Sequence, residues 1–326
     1  MKILYIYRHP DMGYSIGKVF KPIEEEMRKY AEVDSLYLPV PNYSIKGLWE
    51  NIKAACTTIK NKKYDVVHIT GTENYLVPFI ENAKIVVTVH DARFFPGKRS
   101  YLRALPKYML FVRTLKFADI VTFISNKSKS DTYKLINLGN IGVVINNPIG
   151  NEYTYHKKLF NSNCPAILHI GTMPNKNLIG TIDALKGFNC TLRIVGYVDN
   201  DTILRLNDSH IDYTIVMDLT NEQIIEEYNK CDIVNFPSLE EGFGMPIIEG
   251  QAIGRLVVTS NRLPMCEIAG NGAIIVDPES IESIRHGYEA ALMKYDEIVK
   301  KGLENVQRFR LDDITRQYYR VYQSIM

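Results

Sequence analysis

Short apolar runs alternate along the whole chain with longer segments whose apolar residues recur at helical spacing. In the first half the runs at 2–7, 33–38, 65–69, 84–90 and 119–125, and a last one from Ile141, predict strands. Segments reaching about Tyr30, at 49–61 and at 126–137 predict helices between them. The second half repeats the organisation without repeating the sequence. Strands are expected at 166–170, 192–195, 213–216, 233–236, 256–259 and 273–276, and helices to about Lys186, up to Lys230 and after Ile281. Thr220-Asn221-Glu222-Gln223 has the spacing of a capping box opening the second of these. Buried strands interrupted by helices argue for mostly parallel sheets covered on their faces. A break at Asn147-Pro148 divides the pattern, giving domains at 1–150 and 151–305 and a final helical stretch at 306–326.

Composition agrees with an ordinary globule: of 326 residues, 46% are hydrophobic and 23% charged, enough to bury two cores. Five scattered cysteines give no metal-ligand cluster and suit a reducing compartment. The apolar run before Arg8 is too short for a signal peptide, and no later run approaches membrane-spanning length, so a cytoplasmic location is expected.

The net charge of +2 hides an asymmetry, with 22 Lys or Arg against 13 Asp or Glu in residues 1–150. Its densest part is 93–116, where Arg93, Lys98, Arg99, Arg103, Lys107, Arg113 and Lys116 interleave with aromatic and aliphatic residues. Two readings stand. The segment is either a basic amphipathic helix lying on an anionic membrane surface or a core-facing helix whose long cations cover its outer face. No recognised nucleic-acid-binding module accompanies the charge, and no nucleic acid is expected as partner.

Candidate chemistry gathers where the run 233–236 passes into Pro237-Ser238-Leu239-Glu240-Glu241-Gly242-Phe243-Gly244-Met245-Pro246-Ile247-Ile248-Glu249-Gly250. This is a strand-to-helix crossing, where α/β folds present helix-start amides to anions. Glu241 falls in the loop and Glu249 on the helix. By themselves they read equally as solvent-facing acids of an ordinary crossing. His90 ends a strand and precedes Asp91, which puts both at a sheet edge where a sugar hydroxyl could be held. His68, among alternating apolar neighbours, reads as structural. Gly13 and Gly17 lack the dinucleotide-binding spacing, which speaks against a nicotinamide enzyme. Asp199-Asn200-Asp201 has acidic triplet spacing but reads as a polar turn in a loop.

Glu241-Gly242-Phe243-Gly244, the following Pro246 and Glu249 resemble the signature of the retaining nucleotide-sugar glycosyltransferases of family GT4 (glycosyltransferases group 1), which have the GT-B fold. The preceding Cys231-Asp232-Ile233 to Ser238, the loop Gly171-Thr172-Met173-Pro174-Asn175-Lys176-Asn177, and the stretches at 252–261 and 263–264 extend the resemblance; His90-Asp91 and 118–125 carry it more weakly into the first half. It implies an α/β architecture of two Rossmann-like domains with mostly parallel sheets facing an interdomain cleft. The first would bind the acceptor and the second the nucleotide-sugar, while the C-terminal helix packs back toward the first.

For the site, the resemblance implies Glu241, His90 and Lys176 as catalytic residues. Donor contacts would come from Gly17, Gly171, Thr172, Lys176, Gly242, Phe243, Gly244, Met245 and Glu249. Lys176 would face the diphosphate, Glu249 the ribose, and Glu241 the transferred sugar; His90 would lie beside that sugar and the leaving phosphate. Thr172 and Asn175 stand where relatives place Arg, which weakens a two-cation phosphate clamp. No cofactor and no metal are expected. The implied activity is retaining transfer of a hexosyl or N-acetylhexosaminyl unit from a UDP- or GDP-sugar to a glycan or lipid-linked saccharide of a bacterial cell surface. Such an enzyme could sit peripherally on the inner membrane. A catalytically reduced sugar-nucleotide-binding protein and a glycoside hydrolase are the alternatives.

Overall fold

The computed structural model describes residues 1–12, 15–91 and 108–326. They form two compact units, Met1–Gly150 with Arg310–Met326, and Asn151–Phe309. Each holds a six-stranded sheet in which all recorded pairs are parallel.

In the first unit β1 (Lys2–Tyr7), β2 (Glu32–Tyr37), β3 (Val66–Ile69), β4 (Lys84–Val89), β5 (Ile120–Phe123) and β6 (Gly142–Val144) lie in the order β2-β1-β3-β4-β5-β6. Both faces are covered, which is why Lys2-Ile3-Leu4-Tyr5-Ile6-Tyr7 is apolar almost throughout instead of alternating. Leu4 and Ile6 pack with Val67, Val87 and Ile59 on one face. Ile3, Tyr5 and Tyr7 pack on the other, against Phe20 and Ile23 of helix Ser15–Met27 and Ile314, Tyr318 and Tyr322 of helix Leu311–Ser324. A buried polar chain fixes that last helix: Tyr322 OH meets His68 Nδ1 at 2.6 Å and Tyr5 OH at 3.0 Å, and His68 Nε2 meets Thr88 Oγ1 at 2.8 Å. His68 is therefore structural, as its apolar surroundings suggested.

The second unit contains β7 (Ala166–Ile170), β8 (Thr191–Val195), β9 (Asp212–Val216), β10 (Ile233–Phe236), β11 (Leu256–Ser260) and β12 (Ile274–Val276), ordered β12-β11-β10-β7-β8-β9. Strand order reverses between β7 and β10, and the carboxyl edge at such a reversal is where open α/β sheets leave a crevice. Helix Met245–Ile253 packs on β10 and β11, and helix Ile281–Asn305 covers β11 and β12.

Three aspartates start strands in the same way. Asp65 Oδ2 accepts from Lys2 N at 2.7 Å, Asp119 Oδ2 from Ile85 N at 2.8 Å and Asp232 Oδ2 from Ala166 N at 2.8 Å. Each carboxylate precedes its own strand and satisfies an amide at the start of the neighbouring one.

Several expected boundaries shift. Helix Asn126–Tyr133 stops short of 137, and helix Ile45–Lys62 begins before 49 because Ser44 caps it by accepting from Gly47 N. The capping box at Thr220 and Gln223 is present at the start of helix Asn221–Lys230. The Asp199 stretch is a helix start and not a loop: Asp199 accepts from Thr202 N and caps helix Asn200–Ser209. Residues 93–107 of the basic segment, and Gly13, lie outside the described residues. Beyond them Met109, Leu110 and Phe117 are exposed next to Arg113 and Lys116.

Candidate active site

Two loops leave the sheet of the second unit on either side of its reversal, one after β7 and one after β10, and they are stitched to each other. Leu239 N donates to Asn175 O at 2.8 Å, and Asn175 Nδ2 donates to Glu240 O at 3.0 Å. Asn177, in the left-handed conformation at φ 61°, sends its amide to Pro237 O at 3.2 Å and Pro278 O at 2.7 Å. An asparagine tolerates this backbone where a branched residue would not. Arg262 Nη1 adds a bond to Leu239 O at 3.4 Å. Beneath the loops, buried Asn235 donates to His169 Nδ1 and Thr181 Oγ1, both at 2.9 Å, and accepts from Tyr288 OH at 2.8 Å.

On this frame Lys176 Nζ lies 2.6 Å from Glu241 Oε1, and Asn175 Nδ2 reaches the same oxygen at 3.2 Å. Glu241 is 8% exposed. The ammonium also stands 4.9 Å from the centre of the Phe236 ring. Gly171, at φ 87°, has a left-handed backbone that favours glycine, and a Cβ there would crowd the Lys176 stem at 3.1 Å. Thr172 lies beside Gly196, where a Cβ would come within 3.0 Å of its side chain. Asn175, expected only as a missing arginine, proves to be a donor to the central carboxylate.

The helix bearing Glu249 begins at Gly244, whose φ of 105° turns the chain into Met245 and Pro246. Its first amides open onto the same edge, which favours a negative group there. The Phe243 ring is buried edge-on against Phe309, with centres 5.9 Å apart, which leaves its backbone amide as the group it can offer a donor. Tyr228 OH donates to Glu249 Oε2, and the Tyr153 ring stands edge-on to Tyr228 with centres 5.9 Å apart. Neither tyrosine carries a sequence signal, since residues 153, 228 and 249 meet only through the fold. Arg193 forms a two-point ion pair with Glu227 at 2.6 and 3.0 Å, and Arg205 pairs with Asp183, so both serve the scaffold. Glu267 lies in the short helix Met265–Ala269.

His90 belongs to the first unit, with Gly17 in the first turns of helix Ser15–Met27. His90 Nε2 lies 2.8 Å from Thr70 O. A carbonyl only accepts, so this nitrogen carries the proton and Nδ1 of the neutral ring is the acceptor. Burial pushes the imidazole down to about 4 despite that bond, keeping it neutral at pH 7. Ser128 Oγ donates to His90 O at 3.0 Å, and Phe20 meets the ring nearly at right angles. Gly71, Thr72, Thr88 and Asp91 join His90 in lining a pocket at this edge. Glu73 was missed by sequence reasoning; it is 1% exposed, and burial pushes its carboxyl up. Around Gly17 a Cβ would meet nothing within 4 Å. Among the described residues, no group of three or more His, Cys, Asp or Glu is placed to hold a metal, and no helix is long and apolar enough to cross a membrane.

Residues 164–293 match the sequence model of the family Glycosyl transferases group 1. The O-antigen chain mannosyltransferase RfbU of Salmonella typhimurium is 25% identical over 231 residues, 68% of this chain and 64% of that protein, so the match spans just under two thirds of RfbU. The O-antigen chain mannosyltransferase B of Escherichia coli is 24% identical over 285 residues, 78% of this chain and 74% of that protein. In structure, Anabaena HepE in complex with UDP and glucose superposes with a TM-score of 0.78 at 17% identity, covering 99% of this chain and 100% of HepE. The resemblance to group 1 glycosyltransferases and the GT-B fold, read from the sequence, are thereby borne out.

Proposed function

We propose, from the match of residues 164–293 to glycosyl transferases group 1 and from the GT-B fold, that the protein is a retaining glycosyltransferase. It moves a hexose, with mannose the first candidate, from a UDP- or GDP-sugar to a saccharide or lipid-linked acceptor of a bacterial surface polysaccharide. The observation that carries the reading is the Lys176–Glu241 pair, fixed by Asn175 at the reversal of the second sheet. A diphosphate needs one preoriented cation and a set of backbone amides; a sugar needs a carboxylate for its hydroxyls. Both requirements meet within one ion pair.

In this reading Lys176 stabilises the charge gathering on the departing diphosphate. Amides of Gly171, Thr172, Gly242, Phe243, Gly244 and Met245 share that charge, and Glu249 holds the ribose. Glu241 takes hydroxyls of the transferred sugar. His90 offers its unprotonated Nδ1 to a hydroxyl, and Gly17 contributes backbone. With phosphate charge met by lysine and amides, transfer needs no metal and persists in EDTA. The two curated relatives favour mannose. The structural neighbour's complex with UDP keeps the uridine donor open beside the guanosine one.

The acceptor's lipid would bring the enzyme to the cytoplasmic face of the inner membrane, supported by exposed Met109, Leu110 and Phe117 beside Arg113 and Lys116. Sedimentation with anionic but not neutral vesicles, weakened by salt, is the expected result; equal binding to both would remove this part. Donor preference and stereochemistry are tested together by offering GDP-mannose, UDP-glucose and their N-acetylated counterparts with lipid-linked acceptors and reading the product anomer. One preferred donor and a retained anomer are expected, and an inverted anomer would overturn retention.

A further inference from the structure

Glu249 is held more firmly than an exposed carboxylate on a helix would be. Tyr228, from helix Asn221–Lys230, is 0% exposed and donates to Glu249 Oε2. Tyr153 packs against Tyr228, its ring edge-on with centres 5.9 Å apart, and burial together with the Glu249 charge pushes its phenol up. The two helices involved are riveted by Arg255, which is 2% exposed. Its guanidinium donates to Tyr228 O and Asn229 O at the end of one helix, both at 3.0 Å. It also donates to Ile253 O and Gly254 O at the end of the other, at 3.2 and 3.1 Å. Nothing about packing alone requires a fully buried tyrosine hydroxyl to end on this carboxylate.

We propose that Tyr228 and Tyr153 are positioning residues for donor recognition, orienting the Glu249 carboxylate toward the vicinal hydroxyls of the donor's ribose. The inference rests on the ribose role given to Glu249 above. Burial and the adjacent carboxylate push both phenols far up, so each remains a proton donor at working pH. A carboxylate accepts along about four directions, so the Tyr228 hydroxyl does not exhaust it. That bond, with Tyr153 packed against Tyr228, fixes the carboxylate's plane, and a fixed plane is what lets it distinguish a ribose from a deoxyribose.

The test compares UDP and GDP with 2′-deoxy-UDP and 2′-deoxy-GDP by calorimetry on the full chain, in the parent, Tyr228→Phe, Tyr153→Phe and Glu249→Gln. The parent should prefer its ribonucleotide over the deoxy form by on the order of tenfold, the worth of one hydrogen bond to a charged group. Glu249→Gln should remove most of that ratio. Each phenylalanine variant, which keeps the ring and its packing, should cut the ratio at least about threefold. A buried Tyr228→Phe that fails to fold leaves Tyr153→Phe to decide. If Glu249→Gln removes the preference while both phenylalanine variants keep it, or weaken both nucleotides equally, the positioning role is overturned and the ribose role stands. A preference that survives Glu249→Gln, or a parent that binds neither nucleotide, overturns the ribose role and the inference with it.

Discussion

At 2.6 Å the Lys176 ammonium and the Glu241 carboxylate already neutralise each other before any donor arrives. With the lysine side chain 22% exposed and the glutamate 10%, the pair is largely withdrawn from water, so desolvation offsets much of its attraction and its net contribution to stability is small. A charge that forms only in the transition state is another matter, because a preoriented cation meets it without reorganisation. Lys176→Ala should therefore lower turnover by about 10²–10³-fold while shifting the melting temperature by only a few degrees. A folded variant with parental catalytic efficiency would remove Lys176 from the chemistry. Residues of this kind were legible because each stands in a short loop pattern, Lys176 in 171–177 and Glu241 with Glu249 in the separate stretch after β10. Tyr153, Tyr228 and Asn235 were not, since their partners lie far along the chain and only the packed sheet brings them together.

Elements begin where a carboxylate can hold a neighbour's amide. Asp232 is 1% exposed, accepts from Ala166 N and pairs with Lys158, so it fixes the start of β7 against β10 on the two strands that flank the site. Asp232→Ala leaves a buried amide and a lysine without their acceptor, which should cost about 1–3 kcal/mol in denaturant unfolding. Asp232→Asn, which keeps one acceptor, should lose less. Equal stability of Asp232→Ala and the parent would show that water satisfies the strand start. The apolar runs gave the strands closely, since a strand buried on both faces leaves little freedom in composition. Helix ends were less legible. Helix Asn200–Ser209 escaped because its cap, Asp199, was weighed as part of an acidic triplet and not as an acceptor for Thr202 N.

At the scale of the whole chain, the last helix belongs to the unit with which the sequence begins, and His68 is the contact that records it. Burial lowers His68 to about 3 and His169, in the other unit, to about 4, with the nearby Lys176 charge adding to the second. Both folded values lie below the unfolded value of 6.5. The stability these neutral rings contribute is thus complete above pH 6.5 and is lost as pH falls toward 4 for His169 and toward 3 for His68. Each should add a slope of about 1.4 kcal/mol per pH unit within that window. Denaturant titrations at pH 7, 6 and 5 should show this decline, and a flat profile would mean that the rings are protonated in place. The two parallel sheets were legible from alternating strands and helices; the order β12-β11-β10-β7-β8-β9 was not, because parallel pairing is set by crossover packing and leaves no local mark.

The central claim is sugar transfer at the Lys176–Glu241 site, and the most direct measurement is the mass of an acceptor incubated with the protein and a nucleotide-sugar. A gain of one sugar that requires protein, donor and acceptor together, and that Glu241→Gln abolishes while the variant stays folded, is the predicted result. Donor binding without any gain across lipid-linked and oligosaccharide acceptors, or release of free sugar to water alone, would contradict it.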